Sequence, residues 1–475
     1  MNLDSRFIES VRLPFSKYFG SLIVATLMAG WISPAIIAQT ITIGPNVNIN
    51  QTTGSQSETS IAINRTNTDV VAVAFNSSAG AGLYTTSNGG SSWVNRTGSS
   101  GLSLGGSYDT WMGADSFGNM YFSYQINTRT HVSRSSNFGV TYTDLYADTT
   151  NGADHPEMGV GPGVAAGTTS VFLRDSTSSS RILSATTTGL GATSAFTVQT
   201  NMGAGNFGSS AVGPGGRHAF TVMATSGGVG PSNLPIRYDA TGTGPGGYVL
   251  QSNLTTNVGG FRPIPAQPNR TIDTNVVLQY DNSGGAFNGT LYSVYTQAAN
   301  TTTNDTNVVF RRSTDNGVTF SSEVRLNDDL GTNSQFFNRF AVDPITGFLA
   351  SVWYDARNSV GNNMAELWGT VSINGGTTWA PNFKISGGIS DGRQSNIGDP
   401  NEFGDYISMD FYNGILVTAW ADSSNFLGNN PNGTSGLDIY YSRILISIPE
   451  PGSIGALAIV GALLFIQRRS RTAKV

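Results

Sequence analysis

Ser313-Thr314-Asp315-Asn316-Gly317-Val318-Thr319-Phe320 is the stretch on which the fold turns. A hydroxyl residue is followed two positions on by Asp, two later by Gly, two later by Thr, and then directly by an aromatic. The pattern returns at Thr86, Asn88, Gly90, Ser92 and Trp93, at Ser135, Asn137, Gly139, Thr141 and Tyr142, and at Ser372, Asn374, Gly376, Thr378 and Trp379. Each position has a physical reason. The Asx side chain bonds backbone two residues on, Gly reaches positive φ without a Cβ penalty, and the aromatic anchors the turn against a strand. Such a unit is the tip of a β-hairpin.

The aromatics of the first two copies are 49 residues apart and those of the last two 59, while 178 residues, about three such periods, separate Tyr142 from Phe320. The long gap predicts two decayed copies in repeats the size of a four-stranded blade. The motif resembles the Asp box, or BNR repeat, of sialidases and related β-propellers. That resemblance implies an all-β propeller and leaves the reaction open, because the box is a structural turn on propellers of many functions. Asn88, Asn137, Asp315 and Asn374 are then structural residues on outer hairpins, at the face opposite any ligand mouth.

Paired apolar segments give the blade count. Ser60 to Ile63 goes with Val70 to Phe75, Trp111 to Ala114 with Met120 to Tyr124, and Met158 to Val160 with Val171 to Leu173. Ala211 and Val212 go with Ala219 to Met223, and Val276 to Tyr280 with Leu291 to Tyr295. Phe340 to Val342 with Leu349 to Tyr354, and Tyr406 to Met409 with Ile415 to Trp420, complete seven pairs. Asp438 to Leu445 supplies a third strand to the last pair and leaves no room for a fourth. Ile41 to Asn50 has strand character and no blade of its own, so this N-terminal strand is expected to close the ring and remove an open edge. Seven blades are favoured; six, as in true sialidases, are the alternative. The segment from Gly203 to Arg270 is the least regular, and its Phe261-Arg262-Pro263-Ile264-Pro265 reads as a loop that only coincidentally echoes the Phe-Arg-Ile-Pro of sialidases.

Both ends read as addresses. Arg12 and Lys17 precede apolar residues from Leu22 through Ala38, a secretory signal over 1–38 with cleavage after Ala38; a retained anchor is the alternative. Pro449, Glu450 and Pro451 precede an apolar stretch from Ile454 to Ile466, followed by Arg468, Arg469 and Arg471. This order resembles the PEP-CTERM sorting signal, over 448–475. It implies a short transmembrane segment, processing by an exosortase, and delivery to the cell surface or an exopolysaccharide matrix; a plain anchor is the alternative. The propeller then occupies 39–447. Three basic and two acidic residues leave with 1–38 and four basic ones with 452–475, so 18 Lys plus Arg remain against 28 Asp plus Glu, a net charge of −10. Nucleic acid is excluded as a partner on that balance. With no cysteine, neither disulfides nor thiolate metal sites hold the fold.

In an antiparallel blade the first strand starts and the second ends on the same face, so residues there converge on one mouth of the central channel. Glu58, Asp109, Asp154, His155, Glu157, Arg339 and Asp405 precede or open first strands. Arg174, Asp175, Asp355, Arg357 and Asp422 follow second strands. Several uses compete. The sialidase resemblance implies three arginines on a sugar carboxylate, a Tyr nucleophile and an Asp acid, for which Arg174, Arg339, Arg357, Tyr354 and Asp109 are candidates. Any glycosidase needs two carboxylates, here Asp109 with Glu157 or Asp405. Oxygen ligands at Asp109, Asp154 and Asp405 suit Ca2+. Solvated charges or local ion pairs, as between Asp355 and Arg357, are the plain alternative. His131, His155 and His218 lie in different repeats without paired spacing, which argues against zinc. The expectation is a non-catalytic polysaccharide-binding or matrix protein, with an exo-acting glycoside hydrolase as the alternative.

Overall fold

In the computed structural model, residues 39–448 are described except 150–151, 177–179, 204, 224–227, 245–246 and 395–401. The expected leader over 1–38 and the sorting signal from Pro449 onward lie outside the described residues. Seven antiparallel four-stranded units follow one another along the chain. Their innermost strands are Gln56–Ile63, Ser107–Ala114, Asp154–Pro162, Asn206–Val212, Val277–Tyr280, Gln335–Val342 and Ser408–Tyr412, numbered here as blades one to seven. The molecule is therefore a seven-bladed β-propeller, and the six-bladed alternative falls.

Blade seven shows how the ring shuts. Its strands Ser408–Tyr412, Ile415–Asp422 and Asp438–Ser447 come from the C-terminal end of the described chain, while its outer edge is Thr40–Ile43 with Val47–Asn48. Val47 faces Tyr441 and Asn48 faces Tyr440, and the Gly44 and Ile49 amides donate to the Arg443 and Ile439 carbonyls at 2.8 and 3.0 Å. The sequence expectation of closure by Ile41 to Asn50 holds.

Second strands are almost wholly buried, and Thr169–Ser176 and Leu349–Asp355 entirely so, because both sheet faces pack against neighbouring blades. Between blades one and two, Ala62, Val70, Ala72, Leu83, Met112 and Phe122 form one such layer. Each fully buried large apolar side chain of this kind contributes about 1.5–3 kcal/mol.

All four boxes adopt one geometry at the turn from third to fourth strand. In the sharpest, Ser313 Oγ donates to Asp315 Oδ1 at 2.7 Å and accepts from the Gly317 amide at 2.8 Å, while Asp315 accepts from the Thr319 amide at 2.9 Å. The same bonds recur around Asn88, Asn137 and Asn374. The box glycines have φ of +99°, +78°, +89° and +77° at Gly90, Gly139, Gly317 and Gly376, and a Cβ there would meet the preceding blade: Tyr441, Thr85, Ile236 and Phe310 respectively. The box aromatic packs the same way, Trp379 on Phe310 of blade five and Trp93 on Tyr441 of blade seven. Each box is thus a clasp onto the blade before it. Blades three and four lack the box, as the spacing predicts. Blade three turns tightly between Gly189 and Ala192, and in blade four Asp239 caps the Thr241 and Gly244 amides.

One element departs from the sequence expectation. Where the sequence predicts a loop there is a separate hairpin, Arg262–Ile264 with Gln267–Ile272, between blades four and five. The guanidinium of Arg262 donates to the carbonyls of Asn257, Asn300 and Thr303, so it is structural.

Candidate functional site

Five inner strands begin with the same irregularity. Pairing shifts by one residue between Ser57 and Ser60, Tyr108 and Trp111, Asp154 and Glu157, Asn206 and Gly208, and Phe336 and Arg339. The extra residue in each bulge has positive φ although none is glycine: Glu58 at +56°, Asp109 at +51°, His155 at +46°, Phe207 at +44° and Phe337 at +52°. Bulges re-aim side chains, and strain of this kind costs about 1–3 kcal/mol per residue. Here the re-aiming has a visible product. Glu58, Asp109, His155 and Phe207 line a cavity of about 540 Å³ together with Tyr108, Asp154, Phe261, Arg270, Asp273 and Asp405.

The hairpin reaches one side of this cavity from blade five's border to the stretch before blade seven. Arg270 forms a two-pronged pair with Asp405, Nε to Oδ1 at 2.8 Å and Nη2 to Oδ2 at 2.5 Å, and also stands 3.1 Å from Glu58. Glu402 accepts from the Asn269 side chain at 3.0 Å, and Gln267 bonds the backbone of Phe403 and Gly404. Burial alone would weaken the hold of Arg270 on its proton; Asp405 and Glu58 more than reverse this.

Carboxylates crowd the cavity. Burial, then Glu58 and the hydrogen-bonded Asp154, hold the Asp109 proton well above the usual carboxylate range. Asp273, buried and bonded by the Asn275 amide and side chain, is pushed up to about 8 by burial. Burial lowers the pKa of His155 below the usual imidazole value, against the pull of Asp154 and Asp405. Below, Arg339 stretches across the channel. Its Nε donates to the Ile407 carbonyl at 2.7 Å, and its guanidinium lies 4.7 Å from the Trp111 ring centre and 5.4 Å from that of Tyr406. Glu157, lining the narrower channel beneath, is raised to about 7 by burial despite Arg174 and Arg339.

The structure brings Asp109, Asp154 and Asp405 of the sequence candidates together at the cavity, adjoined by Arg339 and Glu157 below it. It does not bring the sialidase-type set together. Arg174 donates to Ser176 Oγ and the His155 carbonyl at 2.7 and 3.0 Å. Arg357 pairs with Asp355 at 2.8 Å and Asp328 at 2.7 Å against the Trp368 ring. The Tyr354 hydroxyl donates to the Ala421 carbonyl at 2.7 Å. Asp355 and Asp422 accept from the Trp353 and Trp420 indoles and Asp175 from Arg181, so the ends of these second strands are structural. Sequence reading missed Arg270, Tyr108, Phe207, Phe261 and Asp273. The bulges themselves gave no sequence signal, because the residues that hold positive φ there, Glu58, Asp109, His155, Phe207 and Phe337, share no residue type. Arg270 belongs to no repeat and offered none.

No family model matches the chain, and no curated protein matches it. Among solved structures it is similar to a protein of unknown function from Dyadobacter fermentans, at 11% identity and TM-score 0.45, over 86% of this chain and 99% of that one. It is also similar to an α-L-arabinofuranosidase of Fusarium graminearum in complex with arabinobiose, at 10% identity and TM-score 0.44, over 85% and 98%. A Hadza microbial sialidase is similar at 10% identity and TM-score 0.41, over 79% and 73%. These are likenesses of fold and carry no activity to this chain.

Proposed function

We propose that the protein is a secreted, surface-sorted β-propeller that holds extracellular polysaccharide at the mouth cavity without cleaving it, as a component of the cell surface or matrix. The observation that carries the reading is the cavity: the rings of Tyr108, Phe207 and Phe261 share one concave surface of about 540 Å³ with the carboxylates of Glu58, Asp109, Asp154 and Asp405. Aromatic faces suit the apolar face of a sugar ring, and carboxylates accept hydrogen bonds from its hydroxyls. The basic-then-apolar leader and the order of Pro449-Glu450-Pro451, apolar run and arginines support export through the Sec pathway, transient anchoring in the inner membrane, and exosortase processing. Cleavage of the sialidase type is disfavoured, because Arg174, Arg357 and Tyr354 are committed to protein partners.

The test is a screen of the purified chain against a glycan array and fluorogenic sialosides, with and without Ca2+. Retention of at least one polysaccharide class, weakened about tenfold in Phe207→Ala, is expected, on the scale of one lost aromatic platform. Release of fluorophore would replace the reading with hydrolysis, and an array with no bound glycan would end it.

A further inference from the structure

We propose that Asp109, Asp154 and His155 bind one divalent first-row transition cation, of the zinc or manganese class, at the mouth cavity. The three come from neighbouring blades, Asp109 from the bulge of blade two and Asp154 with His155 from that of blade three. One donor atom from each lies within 4.8 Å of the others. The observation that points to a ligand is the imidazole. His155 is only 8% exposed, and its ring forms no hydrogen bond with the described residues. Its Nε2 stands 3.7 Å from Asp154 Oδ1 and 3.9 Å from Asp405 Oδ2, too far for hydrogen bonds. The His155–Asp154 separation is near the spacing of two donors that each sit about 2.0–2.2 Å from a shared zinc. The ring is backed by Phe207 at 4.4 Å and Tyr406 at 6.2 Å between centres, which limits where Nε2 can turn.

The donor set chooses the metal. The all-oxygen set expected from sequence, Asp109, Asp154 and Asp405, would suit Ca2+, but both oxygens of Asp405 are engaged by Arg270. One imidazole with two carboxylates suits zinc or manganese better than calcium. Histidine spacing along the chain could not reveal this, because one histidine joins two carboxylates across a blade boundary. A zinc held by three protein donors would keep a position for an outside ligand, which a hydroxyl of a sugar in the cavity could fill.

The site is read with metal alone, so polysaccharide binding can fail while this holds, and the reverse. The full chain is stripped with chelator and titrated calorimetrically with Mn2+, Zn2+ and Ca2+. One bound ion is expected, with Zn2+ or Mn2+ at least tenfold tighter than Ca2+ and with Asp109→Asn and His155→Gln each weakening it at least tenfold. Electron spin echo spectra of the Mn2+-loaded wild-type protein should show a directly bonded nitrogen, a readout that survives if the variants do not fold. No stoichiometric binding, tighter binding of Ca2+, binding unchanged in both folded variants, or Mn2+ without nitrogen would each overturn the proposal.

Discussion

The two faces of the disc repeat in opposite ways. On the box face the side chains repeat, and Asn88, Asn137, Asp315 and Asn374 make the same bonds four times. On the mouth face the backbone repeats, as a one-residue bulge with positive φ, while the residue it displays in the cavity changes from Glu58 to Asp109, His155 and Phe207. A clasp between blades has one task and keeps one chemistry. A shared mouth lets each blade contribute a different group at a common position, which makes a site out of a repeat. Substitutions should separate the two: stability should respond at the box face and ligand binding at the mouth.

The largest effect is expected at the box glycines. In Gly90→Val a Cβ would meet Tyr441 Cε1 at 2.1 Å with φ at +99°, so strain and overpacking add across the seam where the ring shuts. A loss of about 3 kcal/mol or more is expected in chemical denaturation. Asp109→Gly should do the reverse at the mouth, relieving a strained φ and removing a buried carboxylate, so that stability holds or rises by up to about 1 kcal/mol while binding is lost. If Asp109→Gly instead destabilised as Gly90→Val does, the bulge would be scaffold and the contrast between the faces would fail.

This asymmetry also explains what could be read from the chain alone. The box is local: Ser313 to Phe320 contains every partner its turn needs, so the fold, the blade count and the closure by an N-terminal strand within Ile41 to Asn50 were legible. The rim was legible only as positions, since strand ends locate Asp109, Asp154 and Asp405 without saying whom they meet. Arg270 pairs with a residue 135 positions away, from a hairpin outside the repeat, and no spacing announces that. Arg357 shows the converse, because its nearest carboxylate, Asp355, lies two residues away and engages it locally.

A middle-sized effect is expected for Asp315→Ala. It removes the acceptor of the Thr319 amide and the Ser313 hydroxyl at a turn that also receives Thr319 Oγ1 at 2.6 Å. Destabilisation of about 1 kcal/mol is expected, since these are exposed or half-buried bonds that water partly replaces. Glycan retention by the folded protein should be unchanged. A loss of retention at full stability would mean that the two faces communicate.

The smallest effect concerns the seam itself and depends on pH. Asp438 is buried at the start of blade seven's third strand, and its Oδ2 accepts from Asn48 Nδ2 of the N-terminal outer strand at 2.6 Å. Burial, with Asp422 opposite adding to it, raises its pKa from the ordinary aspartate value of 3.8 to about 7. The folded protein therefore keeps a proton that the unfolded chain gives up, and between those two values stability contributed here falls as pH rises. Asp438→Asn stays neutral throughout and offers the same acceptor to Asn48. Its melting temperature should match wild type near pH 4 and exceed it by about 2 °C or more at pH 8. The gap should open between about pH 4 and pH 7. A gap independent of pH would show that Asn48 holds an ionised Asp438, with the ring closed by a charged hydrogen bond instead of a protonated one.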